Sequence, residues 1–229
     1  MCRDIYCESI ESCDTFITSA DTGAEATVGL DGSKAVVCFR GSSSAQDWKT
    51  NLQLSKIPFL SRKHKNPDLE VHNGLFIGHN SVKSKIYAKL NAIIESGKCD
   101  SVLFTGHSAG GTLAVISAFD FQNLSNMDVE VFRSSGSPKI GNAAFASGFD
   151  SKIKCTRIVN DNDGIALMPL FSDYRHVGKT IQLRNVEPKD GDAEGIWDAL
   201  VNFAKLDSFS DHDMDSYIAT MEAHLKKGQ

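Results

Sequence analysis

The sequence predicts an α/β fold in which helices flank a mostly parallel central sheet. Two observations support this prediction. Short apolar runs alternate with amphipathic stretches along the chain, and one of these runs leads through a glycine-rich turn directly into a helical pattern. The 229 residues suffice for one sizeable core, and no repeat, low-complexity tract or linker divides them. We therefore expect residues 1–229 to form a single domain.

Local patterns assign most of the individual elements. Residues 26–30 and 35–39 predict a hairpin, because the intervening Asp31-Gly32 tolerates the positive φ of a tight turn. Apolar residues recur at helical spacing from Val82 to Ile94, ahead of the helix stop Gly97. The remaining predicted elements are strands at 102–105, 129–132 and 155–159, a helix at 109–121, and a terminal helix with an apolar face of Met214, Ile218, Met221 and Leu225.

The composition excludes some classes of function. A formal net charge of -5 gives no electrostatic basis for binding nucleic acid, which depends on neutralising phosphates. No apolar run approaches the roughly 18 residues of a membrane span, and the N-terminus lacks the layout of a signal peptide. We therefore expect a soluble, cytoplasmic protein. The six cysteines contain no CxxC pair and are expected to be reduced, with Cys38 a small buried hydrophobe.

The segment Gly106-His107-Ser108-Ala109-Gly110 matches the pattern G-x-S-x-G between a predicted strand and a predicted helix. A sharp turn there would expose the Ser108 hydroxyl, and the two glycines leave room where a Cβ would clash. The unpaired N–H groups at the start of the following helix would face a developing oxyanion. This arrangement is typical of the nucleophile elbow of the α/β-hydrolase fold, so we expect that fold with Ser108 as nucleophile.

A serine hydroxyl needs a base, and the base needs an orienting carboxylate. In this fold the order along the chain is nucleophile, acid, histidine. Asp161 and Asp163 both follow a predicted strand, and the pattern alone does not choose between them. His212, in a loop just ahead of the terminal helix, is the expected base. His224 has the setting of a solvated helix residue, and His176 is expected to begin a strand and to be structural.

Further segments carry recognisable motifs: V-C-F-R-G-S-S-S at 37–44, V-H-N-G at 71–74, G-S-P-K-I-G-N at 136–142 and R-I-V-N at 157–160. Together with the elbow, they resemble the class 3 lipases, the fungal-type triacylglycerol lipase family, over residues 24–217. The sequence departs from the family at Ala109, where leucine is usual, and at Ala166, where proline is common.

This resemblance implies roles for particular residues. It selects Asp163 over Asp161 as the catalytic acid and His212 as the base. It also implies an oxyanion hole formed by the backbone N–H groups of Ser42 and Ala109. The activity it implies is hydrolysis of acylglycerol esters through an acyl-enzyme, with no metal or organic cofactor.

Other functions remain open at this level. Residues 50–54 and 162–165 also resemble the feruloyl esterase branch of the family, so a feruloyl or other small ester is an alternative substrate. A lipase-like module that binds an acyl ligand or a protein without catalysis belongs to a second class. An acyltransferase or thioesterase would share the acyl-enzyme and differ only in the acceptor.

A patch near residue 60 bears on contact with lipid surfaces. Three apolar residues, Ile57, Phe59 and Leu60, precede three basic residues, Arg62, Lys63 and Lys65. We favour an ordinary strand followed by a solvated turn. The alternative is a peripheral anchor, with the apolar groups entering a membrane or lipid droplet and the basic groups meeting anionic headgroups.

Overall fold

The computed structural model describes residues 15–41, 55–61, 65–133, 136–160, 163–169, 173–183 and 212–227. Within these ranges the strands are β1 (Thr15–Thr18), β2 (Glu25–Asp31), β3 (Lys34–Phe39), β4 (Lys56–Pro58), β5 (Glu70–His72), β6 (Ser101–Gly106), β7 (Asp128–Arg133), β8 (Lys154–Asn160) and β9 (Lys179–Leu183). The helices are α1 (Asn73–Glu95), α2 (Ala109–Leu124), α3 (Ala143–Asp150) and α4 (Met214–Lys227), with a short 3₁₀ helix at Gly164–Leu167.

Seven strands form one sheet in the order β1-β2-β3-β6-β7-β8-β9. The pairs β1–β2 and β2–β3 are antiparallel, and every pairing from β3 to β9 is parallel. The predicted mostly parallel sheet is therefore confirmed. The carboxyl ends of parallel strands share one edge, so the loops that follow β6, β7 and β8 are neighbours in space.

Several local predictions are confirmed by the structure. Strands β2 and β3 form the predicted hairpin, and Gly32 in its turn has φ +59°. Cys38 in β3 is fully buried, as expected of a small hydrophobe. Helix α1 ends at Glu95, and Gly97 beyond it has φ +68°, as a helix stop requires.

Helix α2, which follows the elbow, is buried from Ala109 through Phe121. It packs against β3, β6 and β7 on the sheet and against α1 alongside. A helix with neighbours on all sides needs apolar or small residues around its whole circumference, which explains its weakly amphipathic sequence. The elbow is thereby attached to the most enclosed helix among the described residues.

A buried polar network joins α1 to α2. His79 Nδ1 lies 2.8 Å from Ser117 Oγ, and His79 Nε2 lies 3.2 Å from Asp120 Oδ2. The Tyr87 hydroxyl donates to the same Asp120 oxygen at 3.2 Å. These residues have the composition of a catalytic triad, but Ser117 and His79 are 0% exposed, so no substrate can reach the serine. The network instead satisfies polar groups within the helix interface.

Two sequence predictions are wrong in detail. The buried face of α4 includes Tyr217 and Thr220, whereas Ile218, which we expected there, is only half-buried. Tyr217 faces inward because its side chain packs with Ile158 and Leu183 and its hydroxyl donates to the buried Asp163. The strand expected to begin at His176 starts instead at Lys179. His176 lies in the preceding loop, where its Nε2–H donates to the Ala166 carbonyl at 2.8 Å, which is a structural role.

The predicted strand near residue 57 is confirmed as β4, but the anchor alternative is wrong for Phe59. This ring is 0% exposed. Its centroid lies 5.2 Å from that of Phe119 and 5.6 Å from those of Phe76 and Phe145, so it belongs to the core. It cannot enter a lipid surface without unpacking the core. Two of the basic residues of the patch, at positions 62 and 63, lie outside the described residues.

Candidate active site

The elbow holds Ser108 in an uncommon backbone conformation, with φ 56° and ψ −129° between the end of β6 and the start of α2. Side chains rarely adopt this region, and it persists only where the surroundings enforce it. The two elbow glycines are part of that enforcement. A Cβ on Gly106 would lie 2.4 Å from the Gly110 backbone, and a Cβ on Gly110 would lie 2.3 Å from the Phe39 carbonyl oxygen. The close approach of β6, α2 and β3 therefore requires glycine at both positions.

The structure brings the three predicted catalytic residues together. His212 Nε2 lies 2.9 Å from Ser108 Oγ, and His212 Nδ1 lies 2.9 Å from Asp163 Oδ2 and 3.1 Å from Oδ1. A carboxylate only accepts hydrogen bonds, so Nδ1 carries the proton of the neutral ring. The lone pair on Nε2 then faces the serine hydroxyl. This is the tautomer that a general base for serine requires.

Asp163 is fixed by two further donors. Its Oδ1 accepts from the Ile165 N–H at 2.9 Å, and its Oδ2 accepts from the Tyr217 hydroxyl at 2.6 Å. Burial raises the pKa of Tyr217 well above its ordinary value, and the Asp163 carboxylate adds to that effect. The phenol therefore stays protonated and remains a donor. No pattern in the sequence linked Tyr217 to the acid.

Gly136 permits the acid and the base to meet. It follows β7 with φ +52°, and a Cβ there would lie 2.3 Å from Asp163 Oδ2 and 2.4 Å from His212 Nδ1. The loop 136–142 was recognisable as a motif, but no pattern in it indicated a function for its first glycine. The structure places this glycine against the contact between the two side chains.

We predict that Gly136→Ala lowers kcat for ester hydrolysis about 100-fold. The methyl group would displace Asp163 or His212, and a displacement of roughly 1 Å in a catalytic group has an effect of that size. The measurement is kcat on a soluble short-chain ester. The matched control is Gly32→Ala, because Gly32 also has positive φ, at +59°, but nothing lies within 4 Å of its Cβ position.

The control should lose stability, by about 1 kcal/mol, and retain wild-type kcat. If Gly136→Ala and Gly32→Ala lost equal activity, the loss would be due to backbone strain and not to a clash of the new methyl group with Asp163 or His212.

His107, directly before the nucleophile, contacts the base-bearing segment. Its Nε2 lies 2.8 Å from the His212 carbonyl oxygen. The two imidazole rings are in contact, with centroids 4.9 Å apart and a tilt of 34° between their planes, and the Tyr217 ring meets His107 edge-on at 6.1 Å. Burial lowers the pKa of His107 to about 4, with a smaller contribution from His212. His107 is therefore neutral at physiological pH.

The depressed pKa of His107 makes stability depend on pH. In the unfolded chain a histidine titrates near about 6.5, so below that pH the unfolded state binds the proton more tightly than the folded state does. The contribution of the neutral His107 to the free energy of unfolding is therefore fully present above about pH 6.5 and is lost as the pH falls towards about 4. We predict that the unfolding free energy falls by about 2 kcal/mol more between pH 8 and pH 5 in the wild type than in His107→Gln.

Urea unfolding at the two pH values measures this difference. The burial of His79 lowers its pKa as well, and His79 is present in both proteins, so its contribution cancels. If the unfolding free energies of the wild type and His107→Gln changed equally with pH, the pKa of His107 would not be depressed in the folded state.

The first turn of α2 offers an anion-binding group. The N–H of Gly110 donates to the His107 carbonyl at 2.8 Å, and that of Gly111 donates to the Ser108 carbonyl at 3.1 Å. The Ala109 N–H has no acceptor in the part of the chain that the structure describes. It stands at the positive end of the helix dipole, beside the serine. Ser42, the other predicted oxyanion donor, lies outside the described residues.

Apolar groups adjoin the nucleophile. Ala109 packs with Ile165, from the 3₁₀ helix, and with Leu75, from the first turn of α1. Leu167, at the end of the same 3₁₀ helix, is 39% exposed. An acyl chain meeting Ser108 would thus find hydrocarbon on one side.

The described residues contain neither a candidate metal site nor a candidate membrane span. No group of three or more His, Cys, Asp or Glu residues is placed there to hold a metal ion. In the same ranges no helix combines the length and the apolar character needed to cross a membrane.

The parallel sheet, the strained serine between β6 and α2, and the carboxylate that follows β8 together define the α/β-hydrolase fold. Within that fold, the pattern of the lipases of class 3 matches residues 36–172. The match covers more than half of the sequence, and the chain therefore belongs to the class 3 lipase family.

Individual relatives agree with this assignment. The chloroplastic/mitochondrial phospholipase A1 EG1 of Oryza sativa subsp. indica is 28% identical over 229 residues, covering 84% of this chain and 48% of the relative. The secreted mono- and diacylglycerol lipase A of Penicillium cyclopium is 25% identical, covering 85% of this chain and 66% of the relative. The chain thus spans about half to two thirds of the length of these relatives.

A solved structure shows the same fold. The triacylglycerol lipase of Penicillium expansum superposes with a TM-score of 0.72, over 80% of this chain and 75% of that one, at 22% sequence identity.

Proposed function

We propose that this chain hydrolyses the carboxylic esters of lipids, with acylglycerols as the substrate class, through an acyl-enzyme on Ser108. The observation that carries the proposal is the continuous hydrogen-bonded path from Ser108 Oγ through the two ring nitrogens of His212 to Asp163, with both key distances at 2.9 Å.

In the proposed mechanism, His212 Nε2 takes the hydroxyl proton as Ser108 Oγ attacks the ester carbonyl. Asp163 holds the ring in the tautomer that leaves Nε2 free and stabilises the imidazolium that forms. The N–H groups of Ala109 and Ser42 receive the developing oxyanion. Nε2–H then protonates the departing alcohol, and water activated by the same histidine releases the acid.

The substrate class rests on two arguments. The relatives include a phospholipase A1 and a mono- and diacylglycerol lipase, both named for ester cleavage in lipids. The apolar side chains of Leu75 and Ile165 beside Ala109 suit a hydrocarbon acyl chain. The feruloyl ester alternative stays a prediction, because its motif at residues 50–54 lies outside the described residues.

Where the protein works stays a prediction. We retain the expectation of a cytoplasmic location from the sequence, although the names of the relatives specify chloroplasts, mitochondria or secretion. Peripheral contact with a lipid surface also remains part of the proposal, with Phe59 excluded from it because that ring belongs to the core. Of the other two apolar residues of the patch, Leu60 is 50% exposed and Ile57 is half-buried.

A panel of substrates tests the proposal. Purified protein is assayed on a triacylglycerol, a monoacylglycerol, a phosphatidylcholine and a methyl ferulate, and Ser108 is labelled with an organophosphate. We expect the protein to hydrolyse at least one acylglycerol. This activity should fall in proportion to the fraction of Ser108 that is labelled. Hydrolysis of ferulate alone would move the substrate class to small aromatic esters. An absence of both turnover and labelling would leave a module that only binds acyl groups.

A further inference from the structure

We propose that His107 is a positioning residue for the reaction, an inference that rests on the proposed function. Its Nε2–H ties the main chain of His212 to the nucleophile elbow, and its ring supports the His212 imidazole from one side. His107, which directly precedes Ser108, would thus position His212, the base that takes the proton of Ser108.

The hydrogen bond has a defined direction. The His212 carbonyl can only accept, so the proton of the neutral His107 ring lies on Nε2 and is donated across 2.8 Å. His107 is 6% exposed, so little water competes for its Nε2–H, although the hydrogen bond as a whole is part-buried. The bond resists opening, because the separated donor would be left unsatisfied inside the protein.

A tether on the main chain matters because the side-chain contacts of His212 change during turnover. Once Ser108 Oγ is acylated, it no longer donates to Nε2, and Nε2 must serve first the leaving alcohol and then water. Asp163 still holds Nδ1, but both of its contacts are to this one nitrogen at the far side of the ring. The ring can therefore still pivot about Nδ1. Fixing the His212 carbonyl immobilises the Cα, which restricts where Nε2 can go.

Ring contacts complement the tether. The His107 and His212 centroids are 4.9 Å apart, and the Tyr217 ring meets His107 edge-on at 6.1 Å. Tyr217 in turn donates to Asp163. His107 therefore packs against two rings of one segment, residues 212–217. Because His107 is neutral, it adds no positive charge beside His212 when that ring becomes an imidazolium.

The test separates the donor from the bulk of the side chain. His107→Gln keeps an N–H donor at about the same reach, whereas His107→Met has a similar length and no donor. Turnover of a soluble short-chain nitrophenyl ester is measured per active site, counted by organophosphate titration. This normalisation removes losses that reflect only misfolded protein.

We expect His107→Met to lower kcat per titrated site about 10- to 100-fold with KM within about twofold, and His107→Gln to recover most of that loss. Release of the acid from the acyl-enzyme should slow more than its formation, so the initial burst of nitrophenol should become more pronounced. The matched control is His79→Met, which removes another buried histidine that has no contact with the triad. It should lose stability and keep its kcat per titrated site.

Two outcomes would overturn the inference. Wild-type kcat per site in His107→Met would make His107 a packing residue only. Equal losses in His107→Met and His107→Gln would show that the donor is not what matters. If His107→Met yields no titratable sites, His107→Phe replaces it, since it keeps an aromatic ring without a donor. Ser108→Ala is assayed in the same experiment as a control for the proposed function. If the wild type turned over the ester no faster than Ser108→Ala, the proposed function itself would be rejected.

Discussion

Replacing Ser108 with alanine is expected to lower kcat for ester hydrolysis by about 10⁴- to 10⁶-fold. The change removes the oxygen that lies 2.9 Å from His212 Nε2 and leaves the rest of the site in place. The Ser108 side chain makes no capping bond to α2, so its loss should not loosen the helix. The measurement is steady-state hydrolysis of a soluble nitrophenyl ester, with unfolding by urea to show that the fold is intact.

A second substitution at the same position separates activity from stability. Ser108→Gly also lacks the nucleophile, but glycine adopts φ 56° without the strain that a Cβ imposes. It should therefore be as inactive as Ser108→Ala and more stable by about 1 kcal/mol. If Ser108→Ala hydrolysed the ester nearly as fast as the wild type, Ser108 would not be the nucleophile and another residue would have to serve.

The parts of the site that are contiguous in the sequence could be predicted from it. The elbow and the helix behind it occupy consecutive residues, so turn chemistry and periodicity sufficed to place Ser108 on a sharp turn directly before a helix. The hairpin at Gly32 and the end of α1 before Gly97 were predicted for the same reason. Each rests on interactions within a few residues along the chain.

The contacts between distant segments could not be predicted in this way. Gly136 and His107 meet the base-bearing segment only because three strand ends share one edge of the sheet. The inward-facing side of α4 was mispredicted at Ile218 for a related reason. Periodicity found the apolar residues of that helix, but a polar contact with a buried carboxylate decides which side of it faces inward. Short elements such as β1, β5 and α3 also lack enough residues to show a period.

Asp163→Asn is expected to lower kcat about 10⁴-fold. The Ile165 N–H can only donate, so it holds the amide oxygen of the new side chain at the position of Oδ1. The amide NH₂ then takes the position of Oδ2, 2.9 Å from His212 Nδ1, and the Tyr217 hydroxyl must accept from it instead of donating. There the amide donates to Nδ1 and selects the tautomer with the proton on Nε2. A protonated Nε2 cannot accept the proton of Ser108, so the nucleophile is no longer activated.

The matched control is Asp161→Asn, the other carboxylate that the sequence left open, which lies outside the described residues. It should retain kcat within about twofold, because the path from Ser108 through His212 ends on Asp163. Both variants are compared per titrated active site. A loss from Asp161→Asn as large as that from Asp163→Asn would mean that the loop after β8 depends on both carboxylates, and the assignment of a single acid would then be wrong.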